Sequence, residues 1–302
     1  MMCMSVYPKV NLRKGMCIVL LMKKILLASA ILLSCFGYSA LAQTISGKAF
    51  YTAKSIVNMD FGNRQIPEDR KARMKKFMND MSTNNFELVF NMNESLYSEE
   101  QKLEQISERG QRHRAMMQAV FNQSTGEFYK NTDNATYVNK KDMYGKPFSV
   151  VDTLESLQWN ITDEVKTIGQ YTCFKATTLV KQYVMPEMPF GRPKEGEKKE
   201  KTKMEDLMQE TEVTAWFTLD IPVNQGPDKY FGLPGLILEV KSEHLIILCS
   251  RIELSTDKPE KVDAPKGGKK VNQKEFDEIM KKKSEEVKEQ MRNRGKGIRS
   301  PH

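Results

Sequence analysis

The chain has 302 residues, a formal net charge of +8 and a mean hydropathy of −0.55. Its basic excess sits at the two ends: residues 1–42 hold five basic residues and no acids, and residues 266–302 hold twelve basic and six acidic ones. The body, 43–265, is therefore about −3, which excludes the electrostatic case for a nucleic-acid-binding body.

The first forty residues read as an address. Lys23-Lys24, an apolar run from Ile25 to Phe36, and Ala40-Leu41-Ala42 have the layout of a secretory signal peptide. The apolar core is short for a permanent membrane helix. Met22 stands where such a peptide would start, so residues 1–21 read as an over-extended start. Cleavage after Ala42 leaves a mature chain of 260 residues, enough for one domain. The expected location is periplasmic or secreted. Leu32-Leu33-Ser34-Cys35 is the competing motif, and cleavage before Cys35 would give a lipid-anchored protein instead.

In chain order, residues 45–61 alternate apolar and polar side chains, the period of a half-buried strand. Pro67 opens a helical stripe of Met74, Phe77, Met78 and Met81. Phe86, Leu88, Phe90 and Met92 return to period two, giving strand, helix, strand. Ser98 with Gln101 reads as a capping box that starts a helix carrying Leu103, Ile106, His113, Met117 and Val120. Strands are expected around Glu127–Lys130, Ala135–Lys140 and Ser149–Asp152, then over 157–168 and 170–184 with Gly169 at the bend. Residues 185–212, with Pro186, Pro189, Pro193 and a run of Lys and Glu, read as a charged mobile loop. Val213, Ala215, Phe217, Leu219 and Ile221 share one face of the next strand. Leu236–Val240 and Leu245–Cys249, around Lys241-Ser242-Glu243-His244, form a buried hairpin. The expected domain is 43–258, followed by a basic tail, 259–302, with a helix over 272–292 capped by Asn272 and Glu275.

The fold class this predicts is mainly β with accessory helices (α+β). We expect one curved antiparallel sheet or open barrel of roughly eight to ten strands.

Gly232-Leu233-Pro234-Gly235-Leu236-Ile237 is the stretch on which the second half turns. Pro234 followed by Gly235 fits a type II turn with positive φ at Gly235, launching a strand too short and apolar to be a helix. With Trp159, Gln170-Tyr171-Thr172-Cys173, Ala215-Trp216, Ile221-Pro222 and Gly226-Pro227 in order, this hexapeptide resembles the GLPGLI family of exported proteins. That family is found mainly in Bacteroidetes and has no established biochemical role. The resemblance spans residues 157–243, and implies export and a common architecture without implying an activity. The charged stretch 191–212 is longer than the family pattern leads one to expect. Turn chemistry and core burial explain the motif residues as well as ligand binding would.

No catalytic constellation is present. The chain has no Gly-x-Ser-x-Gly, His-Glu-x-x-His, phosphate loop or Cys-x-x-Cys. His113, His244 and His302 are its three histidines, each readable as structural or solvated. We expect a protein without catalytic activity or cofactor, binding an apolar ligand or another envelope protein. The alternative is copper handling, since thioethers of Met185 and Met188 suit Cu(I), though methionine also fills core gaps. A hydrolase with an unfamiliar site is the remaining reading. The basic tail could touch an anionic membrane surface or stay solvated. Cys173 and Cys249, the two cysteines beyond residue 42, are the expected disulfide, the other reading being two buried thiols.

Overall fold

The computed structural model describes residues 45–56, 59–60, 66–100, 126–143, 146–183, 188–189, 208–255 and 259–296. The expected signal peptide, Cys35, the stripe from Leu103 to Val120 and Met185 lie outside those residues. Strands form where the two-residue period is cleanest. In β1 (Ser46–Ser55), Gly47, Ala49 and Tyr51 are buried while Lys48 and Phe50 are not. After a two-residue β2 (Met59–Asp60) and helix α1 (Glu68–Met81), β3 (Thr83–Phe90) buries every second residue.

β4 is Glu94–Glu99, so Ser98 does not begin a helix. It pairs with Glu87 on one side and Glu127 on the other. Leu96 and Ser98 share a face opposite Ser95 and Tyr97, a period the capping-box reading overlooked. There follow β5 (Glu127–Asn131), β6 (Thr136–Met143), β7 (Lys146–Thr153), β8 (Asn160–Ile168) and β9 (Tyr171–Tyr183). Gly169, at φ 61°, makes the bend between the last two. A short β10 (Met188–Pro189) runs parallel to β2 in a separate ribbon.

β11 (Met208–Thr218) starts earlier than expected, inside the charged stretch. Glu210 lies opposite Lys181 there, and an opposite-charge pair across strands favours pairing over solvation. β12 (Leu236–Lys241) and β13 (Leu245–Ser255) form the expected hairpin, closed by the Ser242 N–H on the Leu245 carbonyl. The basic end supplies β14 (Lys269–Val271) and helix α2 (Gln273–Lys296). Asn272 and Glu275 cap α2 reciprocally: the Asn272 side chain accepts from the Glu275 N–H and the Glu275 carboxylate from the Asn272 N–H.

Twelve strands form one open sheet in the order β14-β7-β6-β5-β4-β3-β1-β13-β12-β11-β9-β8. That is two more than the upper expectation, and the two are β4 and β14. All neighbours are antiparallel except β14 and β7, so the sheet is mixed, and it does not close into a barrel. Among the described residues only α1 and α2 are helical.

The sheet is curled, and a side chain proves it. Five strand spacings separate β5 from β12, roughly 24 Å if flat. Yet Lys130 of β5 donates to the Gly226 carbonyl at 2.6 Å, and a side chain on Gly226 would meet Ile237 of β12. The inner face therefore wraps around the segment joining β11 to β12. Tyr51, Phe86, Leu88, Phe90, Phe217 and Ile247 pack against Ile221, Val223, Tyr230 and Leu233 of that segment. A second, smaller core forms where Phe276 of α2 meets Phe148 and Val150.

Candidate functional site

The segment 219–235 is a loop with the burial of a core strand. Ile221, Val223, Gln225, Gly226, Pro227, Tyr230 and Leu233 are buried. Buried backbone must find partners, and this loop finds them partly in itself. Gly232 N–H donates to Asn224, Tyr230 N–H to Pro227, Leu236 N–H to Ile221 and Ile237 N–H to Gln225.

Side chains from across the sheet supply the rest. Lys130, wholly buried, donates to the carbonyls of Gly226, Asp228 and Tyr230 at 2.6, 2.5 and 3.2 Å. The Trp159 indole donates to the Phe231 carbonyl at 2.8 Å. The Tyr51 hydroxyl donates to the Ile237 carbonyl at 2.7 Å. Ser95 donates to the buried Gln225 side chain at 2.8 Å. Strands β4 and β5 and the residue before β8 thus hold the loop, and β1 holds the start of β12, by buried or part-buried polar contacts, which are stronger and costlier to lose than those in water.

Electrostatics concentrate at the same place. Burial pushes the Lys130 ammonium down to about 7, against the opposing pull of Asp228. Burial likewise lowers Lys229 and Lys141, with Asp228 again opposing. It also raises the Tyr97 and Tyr230 phenols, with Asp228 adding to the effect. Asp228 itself adopts a left-handed φ of 51°, a conformation Asp tolerates better than most residues.

The motif residues divide by role. Leu233, Leu236 and Ile237 are core, Pro234 is exposed, and Gly226 and Pro227 are buried under Ile237 and Tyr230. Gly235 does not take the positive φ expected of it; Gly232 does, at 91°. Gly235 is required instead by close approach, since a Cβ there would stand 1.9 Å from the Thr218 carbonyl oxygen. Trp216 is not part of the loop's clamp. It lies on the outer face, with the Lys166 ammonium 4.3 Å above its ring and that ammonium paired to Glu239 at 2.6 Å.

The expected disulfide is absent: Cys173 and Cys249 are both free and buried. Their strands, β9 and β13, are separated by β11 and β12, and each thiol instead donates to a nearby carbonyl, Tyr171 and Arg251 respectively. Met188 lies in β10 opposite Met59. Lys130, Ser95, Tyr51 and the lysines around Asp228 were not singled out from the sequence. A lysine between Tyr129 and Asn131 in a short strand carries no mark of burial until its loop partner is known.

Comparison with known proteins meets the chain at this loop. A family model described as "Protein of unknown function (Porph_ging)" matches residues 159–239. The match begins at the tryptophan that holds Phe231 and ends at Glu239, just past the hexapeptide. No curated protein matches the chain. Of solved structures, one described as "Structure of PNGF-II in C2 space group" is 12% identical with a TM-score of 0.42, covering 78% of this chain and 32% of its own. The same protein in a second space group gives 11%, 0.43, 78% and 33%. The chain spans about a third of the length of those structures.

Proposed function

We propose that this is an exported protein of the cell envelope, without catalytic activity, that works by binding another envelope protein along β8. The signal-peptide layout and the resemblance to the GLPGLI family support export. The observation that carries the choice of partner is the occupied interior. An apolar ligand in the concavity would have to displace Tyr230, Leu233 and the carbonyls that Lys130 holds, whereas β8 ends the sheet order and has no partner strand on its other edge among the described residues. Ile161 and Val165 on that strand are 51% and 54% exposed, and an open strand edge is a template for pairing with another chain.

The test is photocrosslinking in the intact exported protein. A crosslinker at Ile161 is expected to give one discrete adduct with an envelope protein, and Val165→Lys to reduce it several-fold. A crosslinker at Leu248, exposed on the outer face, is expected to give none. Stoichiometric lipid extracted from protein purified without detergent would overturn the reading, as would identical adducts from both positions.

A further inference from the structure

The edge strand β8 carries a charge pattern that is complementary to its own reverse. Glu164, Val165 and Lys166 follow one another, an acid and a base flanking one apolar residue. Glu164 and Lys166 both lie on the outer face. Glu164 meets Lys175 at 2.6 Å, and Lys166 lies over Trp216, the residue opposite Lys175. Val165 stands opposite Phe174 and is more than half exposed. Asp163 is exposed as well.

A strand laid antiparallel on its own copy is related to it by a two-fold axis. Opposite residues share a face of the sheet, so the axis passes through one residue, which lies opposite itself. Each choice of that residue is a register. Centring on Asp163 or Glu164 sets an acid against its own copy, and centring on Lys166 sets ammonium against ammonium. Like charges directly opposite are destabilising. Centring on Val165 instead sets Glu164 against Lys166 twice, Asp163 against Thr167, and valine against valine. Of these four registers, it alone pairs opposite charges. The pairing of β8 with β9 is irregular between Ile161 and Val165, and a bulge bends an edge strand and limits how far it can pair. The contact is therefore short.

We infer that the envelope protein taken up by β8 is a second copy of this chain, its β8 running antiparallel with Val165 opposite Val165. The inference rests on β8 being the partner-binding edge and names the partner. Such an interface is isologous, so it closes at two copies. Its Glu164–Lys166 pairs extend the charged row that Lys175, Trp216 and Glu239 already form on the outer face. A single bulged strand of nine residues offers a small contact area, so the dimer forms with rising concentration rather than permanently.

Sedimentation velocity of the purified protein over a concentration series, with the fold of each variant checked by circular dichroism, tests it. The wild type is expected to pass from monomer to dimer. Glu164→Lys sets base against base and Lys166→Glu acid against acid, so each alone should weaken the dimer roughly tenfold or more. An equimolar mixture of the two variants should dimerise like the wild type, because each strand then meets its complement. Val165→Cys places two thiols within about 5 Å, inside disulfide reach, and should give a covalent dimer under diamide. Thr167→Cys, whose copies lie roughly 13 Å apart in this register, should give none. That arm decides if Lys166→Glu, which also loses Glu239, does not fold. A monomer at every concentration, or dimers that both charge variants leave intact, overturns the inference. If the Ile161 crosslinker then captures a different envelope protein, only the second copy falls; if it captures nothing, the role of β8 falls with it.

Discussion

At Gly235 the backbone just before β12 comes so near Thr218 that one carbon atom cannot be added without moving a strand. Gly235→Ala is therefore expected to destabilise by about 2 kcal/mol or more, the cost of overpacking against backbone. Gly232→Ala meets open space and suffers only from its φ, at about 1 kcal/mol. Urea unfolding of the two variants gives the order, and equal costs would contradict it. Lys130 yields a prediction on pH. Its folded value of about 7 lies below the ordinary 10.5, so above pH 7 the unfolded chain binds more protons than the folded one. Stability from this group is greatest above the unfolded value and is lost as pH falls toward 7. Between pH 7 and 8.5 the wild type minus Lys130→Met difference, in which the thiols and phenols common to both cancel, should rise with pH. The slope should approach about 1.4 kcal/mol per unit. Unfolding at fixed pH steps measures it, and a flat difference would mean that Lys130 keeps its ordinary value. The hexapeptide was legible as a rigid, glycine-dependent turn, but which glycine carried the left-handed backbone was not. Pro-Gly fits a type II turn locally, whereas the approach of Thr218 is a tertiary fact.

Elements with a clean period were legible almost to the residue. The β12–β13 hairpin, the bend at Gly169 and the cap of α2 follow from alternation, a glycine and a Ser/Asn-x-x-Glu spacing that need no distant partner. β4 and β14 were not, for opposite reasons. β4 carries Ser95 and Ser98, polar residues whose places are set by Gln225 and by neighbouring strands. β14 is three residues of which two are lysines, and it exists because α2 packs behind it. Phe276 is the link: its ring meets Phe148 edge-on at 5.7 Å. Phe276→Ala should thus detach α2 and β14 together, at a cost of about 3 kcal/mol shared by the two elements. Hydrogen exchange is the measurement: amides of 269–280 should lose protection while those of β9, β11 and β12 keep it. Uniform loss across the sheet would show that the second core is not a separate unit of stability.

For the whole molecule, the decisive feature is that long-range contacts, rather than a covalent tie, close the curled sheet. Ser95, Lys130 and Trp159 reach the loop before β12, and Tyr51 the start of β12 itself, each across at least 72 residues of chain. Such a fold is rich in non-local pairing, which slows folding without requiring a crosslink. The cysteines fit this picture. Burial drives both thiols up to about 11, so the reactive thiolate is scarce at neutral pH. With β11 and β12 between their strands, forming the bridge would require a rearrangement of the sheet. Each behaves as a small buried hydrophobe. Titration of the unfolded, unreduced chain from residue 43 onward should accordingly find two free thiols. The thermal midpoint should be the same with and without a reductant, because nothing covalent is lost. Cys173→Ala and Cys249→Ala should each destabilise by about 1 kcal/mol through lost packing, and the double variant by the sum. A bridged pair would behave otherwise: no free thiol, a midpoint that falls on reduction, and two single variants each as costly as both together.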